Sequence, residues 1–290
     1  MSDVRPDRGP VKIDAHQHFW RYDPAAYPWI GAGMAALRRD FLPPDLEPLL
    51  HAAGFDGCVA VQARHAEEET RWLLELAERH SFIRGVVGWV DLRAADVGAR
   101  LQRLAHPKLV GMRHIAQDEP DDAFLLREDF GRGLAALGAA GLAYDILVYP
   151  RQLPAALELA RRFPGQRFVL DHLAKPPIAR GGRAAWEPGF RALAALPNVW
   201  CKLSGLVTEA DWEGWTPADL HPYLEVAREC FGPARLMVGS DWPVCLLAGG
   251  YERTMAAVTD HLGAWPAAEQ AAVLGGNAAR FWNLEWERAR

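Results

Sequence analysis

The chain has 290 residues, half of them hydrophobic, and a net charge of −5. That is enough apolar material for one large domain or two small ones. The absence of a basic face argues against a nucleic-acid partner, and no apolar run approaches the roughly 18 residues that span a bilayer, so no membrane partner is expected.

Residues 1–10 are polar and proline-bearing, without the apolar stretch of a signal peptide, and are expected to form a disordered tail. From residue 11 to 290 the chain alternates short β-branched runs with Ala-, Leu-, Glu- and Arg-rich stretches of helical spacing. Strand Lys12–His16 precedes helix Pro44–Ala53; Phe55–Ala63 precedes Glu67–His80; Ile83–Val90 precedes Ala95–Ala105; Leu109–His114 precedes Asp122–Ala140. The second half repeats the pattern: Leu142–Val148 then Leu153–Phe163, Arg167–His172 then Arg183–Ala195, Asn198–Ser204 then Pro217–Cys230, Arg235–Ser240 then Tyr251–His261. An extra C-terminal helix is predicted over Pro266–Trp282. Gly54, Gly141 and Pro197-Asn198 supply helix stops before strands.

Strands joined through helices must pair in parallel, because each crossover carries a helix. No GxGxxG follows Lys12–His16, and open doubly wound sheets usually have fewer strands. The reading is therefore a single α/β domain, a closed (β/α)8 TIM barrel, whose active site belongs where the C-terminal strand ends meet.

Those ends carry ionisable groups where apolar filling would be expected. The first reads Asp14-Ala15-His16-Gln17-His18, and residues two apart share a face, so His16 and His18 project together. The fourth reads Met112-Arg113-His114, with opposite facings, so at most one of the last two points straight into the barrel mouth. The sixth ends Leu170-Asp171-His172, and the eighth Gly239-Ser240-Asp241-Trp242-Pro243. Gln62 and Lys202 lie near the ends of the second and seventh. Each alone has an ordinary explanation: a satisfied structural histidine, or a turn aspartate. Jointly they predict one pocket. The remaining histidines fall mostly on helices and read as surface or packing residues; His65, in a βα loop, is placed to touch a ligand.

The stretches Ile13–Trp20, Leu170–Pro176, Cys201–Gly205 and Gly239–Pro243 resemble the amidohydrolase-2 branch of the amidohydrolase superfamily. Tyr27-Pro28-Trp29-Ile30, Leu206–Trp212 and Val244–Leu247 narrow the resemblance to its sugar lactonases, of the L-fuconolactonase and L-rhamnonolactonase type, from Lys12 to about Trp282. The resemblance implies a strand-1 HxH, a strand-6 His and a strand-8 Asp, which are His16, His18, His172 and Asp241 here. It also shows a departure. Two-metal members use a bridging Lys or Glu on strand 4 and a His on strand 5, where this chain has Met112-Arg113-His114 and Tyr144-Asp145-Ile146. Resemblance to lactonases implies a reaction that requires no cofactor; a mononuclear Zn²⁺ on His16, His18, His172 and Asp241 is the alternative.

The implied reaction is hydrolysis of a small sugar lactone. Asp241 is expected to act as general base and then acid. His16, His18 and His172 are expected to polarise the carbonyl as an oxyanion hole. Trp29, Gln62, Arg113, His114, Gln117, Lys202 and Trp212 are candidates to contact substrate; Lys175 is set lower, since the two prolines of its loop fit a turn-shaping role. The aromatics of the first loop and Trp242 are either a stacking wall or a roof. Scattered Cys58, Cys201, Cys230 and Cys245 form no CxxC and predict reduced thiols in a cytoplasmic protein, monomeric or homodimeric. Other readings remain: a metal-dependent amidohydrolase or decarboxylase on the same barrel, a sugar-acid-binding protein without turnover, and strand-end charges that only stabilise the fold.

Overall fold

The computed structural model describes residues 9–284. The expected tail over residues 1–10 falls mostly outside them, as does the end of the domain beyond residue 284.

Eight parallel strands run in the order β1 to β8: β1 Ile13–Gln17, β2 Gly57–Val61, β3 Ile83–Gly88, β4 Leu109–His114, β5 Ala143–Ile146, β6 Phe168–Leu170, β7 Val199–Leu203 and β8 Leu236–Val238. The barrel closes between the tails of β8 and β1. Gln17 bridges Trp242 in parallel fashion, the Asp241 amide donates to His16 O at 2.8 Å, and the His18 amide donates to Trp242 O at 2.6 Å. The closure itself therefore holds His16, His18 and Asp241 side by side. The expected TIM barrel is present, and no helix among the described residues is long and apolar enough to cross a membrane.

Helices α1 Pro43–Ala52, α2 Glu67–Arg79, α3 Val97–Arg103, α4 Glu128–Ala139, α5 Leu153–Arg162, α6 Arg183–Ala194, α8 Pro217–Phe231 and α9 Tyr251–Leu262 form the outer ring. Each buries a stripe at helical spacing; in α5 it is Leu153, Ala156, Leu159 and Ala160. Three departures from the sequence reading have local causes. Helix α4 starts at Glu128 because Arg127 is extended (ψ 140°), leaving Phe124–Leu126 as a separate 3-10 turn. The C-terminal helix is split into α10 Ala267–Ala271 and α11 Asn277–Trp282 by a π turn at Ala272–Gly276, where the backbone of Gly275 packs against Val11 O without room for a Cβ. A short helix, α7 Leu206–Glu209, follows β7 where none was predicted.

Inside the barrel, period-two alternation builds two layers. Ala143 and Val169 belong to an apolar cluster with Phe281, Trp282 and Leu284, which Trp200 joins at its edge. Two residues further along the same strands stand Asp145, Asp171 and Lys202, all fully buried. The apolar floor thus lies under a charged layer, and Lys202 Nζ sits 5.2 Å from the centre of the Trp282 ring.

Candidate active site

The charged layer comes first, because it positions everything above it. Lys202 Nζ lies 2.5 Å from Asp145 Oδ2, 2.9 Å from Asp171 Oδ1 and 3.1 Å from His16 Nδ1. Arg113 Nη1 donates to Asp171 Oδ2 at 3.0 Å, and Nη2 donates to Gln62 O at 2.5 Å. Burial pushes Asp171 up, but Lys202, His16 and Arg113 outweigh it and hold it well below the usual carboxylate range. Asp145 has fewer partners; burial raises it, with Lys202 opposing.

His16 has a cation at each ring nitrogen: Arg113 Nη1 lies 3.3 Å from Nε2, and Lys202 Nζ lies 3.1 Å from Nδ1, where Asp171 Oδ1 also stands at 3.3 Å. His18 Nδ1 donates to Val61 O at 2.7 Å, and its Nε2 faces Asp241 Oδ1 at 3.3 Å. The neighbours of His172 favour one tautomer. Ser204 Oγ lies 2.8 Å from Nδ1, and Nε2 faces Asp241 Oδ1 at 3.8 Å, so the acceptor at Nε2 favours the proton there. His172 is thus placed to present its Nε2–H toward Asp241.

Asp241 Oδ1 is 3.3 Å from His18 Nε2 and 3.7 Å from His16 Nε2. Burial alone would raise its carboxyl, but the imidazoles of His172, His18 and His16 hold it well below the ordinary range. Burial lowers His172 to about 4, against the pull of Asp241 and Asp171, and lowers His16 well below its usual value. At neutral pH the centre is thus an ionised carboxylate flanked by neutral His16 and His172.

The backbone is bent to achieve this. His172, Leu173, Ala174 and Lys175 all have φ between 51° and 58°, and Asp241 has φ 56°. Each non-glycine residue held there costs on the order of 1 kcal/mol. The run is held by Trp186 Nε1 donating to Leu173 O at 2.6 Å. Gly205, at φ 63°, leaves the space His172 fills; a Cβ there would overlap the ring.

Above lies a cavity of about 350 Å³, near the lower end of small-molecule sites. Of the predicted contacts, Trp29, Arg113, Gln117 and Trp212 line it, with His18, His172 and Asp241. The indole N–H groups of Trp29 and Trp212 are bound to Ala63 O and Thr208 O, so their rings face the cavity with polar edges satisfied. Gln117 Oε1 is buried with no partner among the described residues, an acceptor available to a ligand hydroxyl.

Three predicted contacts need correction. Lys202 is fully buried beneath His16, too deep for a ligand. Gln62 is also fully buried; its amide donates to Arg113 O at 3.1 Å and braces that arginine. His114 faces the other side of β4, bonded to Glu119 at 2.6 Å and stacked on His65 and Phe124. His65 is drawn into that stack rather than the cavity. Phe19, Trp20, Tyr27 and Trp242 are buried packing, with Phe41 between Trp20 and Trp242. The sequence reading undervalued Lys175 and missed Tyr149, Thr208 and Glu209, which all line the wall. Lys175 was visible in its motif; Tyr149 precedes a 3-10 turn and Thr208 and Glu209 lie on the short helix α7, elements too short to carry a periodic signal.

The sequence profile of the amidohydrolase family matches residues 13–284. The chain belongs to the amidohydrolase family. Two relatives align along almost the whole length: an L-fucono-1,5-lactonase of Burkholderia multivorans, 49% identical over 95% of this chain and 97% of that protein, and an L-fucono-1,5-lactonase of Burkholderia ambifaria, 44% identical over 94% and 96%. A crystal structure of an amidohydrolase from Burkholderia multivorans with bound zinc superposes with a TM-score of 0.92, at 48% identity, covering 95% of this chain and all of that one.

The residues of this amidohydrolase fit one divalent ion. His16 Nε2 and His18 Nε2 are 3.2 Å apart, and with Asp241 Oδ1 they make a triangle with edges of 3.2, 3.3 and 3.7 Å. Ligand atoms in a tetrahedral zinc shell with bonds of about 2.0–2.1 Å lie about 3.3 Å apart. Two imidazole nitrogens and a carboxylate oxygen converge there, and the outer nitrogens face Asp171 and Val61, as outer partners of metal-binding histidines usually do. The second cluster, His16, Asp171 and His172, is different, because the Lys202 ammonium already contacts Asp171 and His16.

Proposed function

We propose that this amidohydrolase hydrolyses the ester of a sugar lactone, L-fucono-1,5-lactone or a related aldonolactone, to the open sugar acid. The observation that carries the reading is the ionised Asp241 carboxylate held among imidazoles at the base of a small, aromatic-walled cavity. The names of the two Burkholderia relatives support the same chemistry.

In this reading, Asp241 takes a proton from a water, whose oxygen attacks the lactone carbonyl. Charge then develops on the carbonyl oxygen, and the donors placed to meet it are the His172 Nε2–H and the Arg113 guanidinium, each such donor contributing about 10²–10³ in rate. Collapse breaks the ring C–O bond, and the protonated Asp241 returns its proton to the leaving ring oxygen. His16, His18 and Asp241 are the residues that would hold a divalent ion, and a bound ion would add Lewis-acid polarisation of the carbonyl. Trp29 and Trp212 offer faces to the sugar ring, and Gln117 an acceptor to its hydroxyls. The free, buried Cys58, Cys201 and Cys245 fit work in a reducing cytoplasm.

The test is a pH-indicator screen of aldonolactones on protein that is chelated, untreated or zinc-supplemented. Turnover of a six-carbon aldonolactone is expected in at least one arm, and dependence on the ion is read from their ratio. No turnover above the spontaneous rate in any arm would remove the proposal.

The pH profile is a separate check. Neutral His172 and ionised Asp241 are the working forms. Lowering the pH protonates His172 only near its value of about 4, and the imidazolium then pairs with the carboxylate and weakens the base. kcat/KM is therefore expected to be level from about pH 5 to 6.5 and to fall below about 4. A limb near 6.5 would contradict the assignment of His172.

A further inference from the structure

Two ionisable residues in the cavity wall take no part in the chemistry above. Lys175 closes the left-handed run that begins at His172, and Glu209 ends the short helix α7 after β7. Lys175 Nζ and Glu209 Oε1 are 3.5 Å apart, with the two side chains 17% and 19% exposed. Lys175 also lies 5.5 Å from the centre of the Tyr149 ring. An ion pair of this kind stabilises a fold by about 0–1 kcal/mol. The strained run from His172 to Lys175 is required to place His172 in any case, so neither it nor the pair's small gain explains why a salt-bridged pair stands in the cavity wall.

A charge inventory of the wall does. The cavity cations are Arg113 and Lys175; the carboxylates are Asp118, Glu209 and Asp241. Arg113, anchored by Asp171 and Gln62, is taken up by the lactone carbonyl in the reading above. Asp118 stands exposed at the rim. Among the described residues Lys175 is thus the wall cation left for a further carboxylate on a ligand, and Glu209 already neutralises it. The 3.5 Å separation exceeds a usual hydrogen bond of about 2.7–3.2 Å, so both groups retain donors and acceptors for uncharged hydroxyls.

We propose that the Lys175–Glu209 pair sets the charge selectivity of this site, accepting uncharged polyhydroxy lactones and rejecting lactones that carry an additional carboxylate. The inference rests on the lactonase reading and adds to it the class of lactone and the residues that choose it. Glu209 is the deciding member: without its charge, Lys175 becomes an unbalanced ammonium facing the cavity.

The experiment compares wild type with Glu209→Gln at equal metal content, so that any bound ion affects both alike. Two substrates are used, the uncharged aldonolactone ranked first by the screen and the carboxylated D-glucaro-1,4-lactone. The ratio of kcat/KM, charged over uncharged, is expected to rise about 10- to 100-fold in Glu209→Gln, the size expected for one charge a few ångströms from a ligand anion in a partly wet site. Lys175→Met should not show the rise. A purely structural ion pair would lower both substrates together and leave the ratio unchanged, which would overturn the inference while leaving the lactonase reading intact. If Glu209→Gln is unstable, Glu209→Ala carries the same expectation. If wild type turns over no lactone, the reading fails, and calorimetric binding of the two lactones still decides the inference: tighter binding of the charged one to the variant supports it, equal binding overturns it.

Discussion

Replacing Asp241 with Asn is expected to lower kcat on the best aldonolactone by about 10³- to 10⁴-fold with the fold intact. The amide keeps the shape of the carboxylate, and His18 Nε2 at 3.3 Å can accept from it as readily as it now faces an anion. What is lost is basicity. Asp241 is the one carboxylate within reach of all three imidazoles, at 3.3, 3.7 and 3.8 Å, and general-base assistance is worth about 10²–10⁴. The outcome also separates the lactonase reading from a purely structural one. If the strand-end charges only stabilised the barrel, the variant would lose melting temperature and not turnover. Retention of more than about a tenth of wild-type kcat would show that another group activates the water. Where zinc is present, the same change removes one corner of the ligand triangle, so ion affinity should fall with kcat; the chelated protein isolates the loss due to the base.

The strands and the four central residues were legible because two periodicities carry them. Alternating apolar runs and helices give seven crossovers between eight strands, and an HxH two residues apart needs only a strand to share a face. Depth within the barrel was not legible. Lys202 and Arg113 read alike, as polar groups near strand ends, yet Lys202 is sealed under His16 while Arg113 reaches the cavity. Period two gives the face and not the layer. The facing of β4 was also open in the sequence, and packing chose it: His114 stacks on Phe124 and His65 outside, so Arg113 turns in. The approach of Lys175 to the cavity was hidden for another reason. Four successive non-glycine residues in the left-handed region are contrary to local preference. Only tertiary contacts, the Trp186 hydrogen bond and the space left by Gly205, make that path available.

The largest stability effect is expected at Lys202→Met, about 3–5 kcal/mol of unfolding free energy, measured by urea denaturation. The ammonium is fully buried and touches Asp145, Asp171 and His16 at 2.5, 2.9 and 3.1 Å. Removing one partner of a buried pair leaves the others uncompensated, which typically costs that much. Arg113 covers Asp171 in part, at 3.0 Å, so the deficit falls chiefly on Asp145. That gives the test its internal control. Lys202→Met combined with Asp145→Leu removes the charge together with the carboxylate that needs it, and should cost less than the sum of the single changes by about 1–3 kcal/mol of coupling. Additive losses would mean that Lys202 acts through its contact with Trp282 and the apolar floor rather than through charge. The same position bears on the ion. With the ammonium in place, the cluster of His16, Asp171 and His172 already holds a cation, and the site is limited to the single ion that His16, His18 and Asp241 fit. Lys202 also holds Asp171 at 2.9 Å, and that carboxylate faces His16 Nδ1 at 3.3 Å, so the lysine fixes the position of an imidazole that would bind the ion.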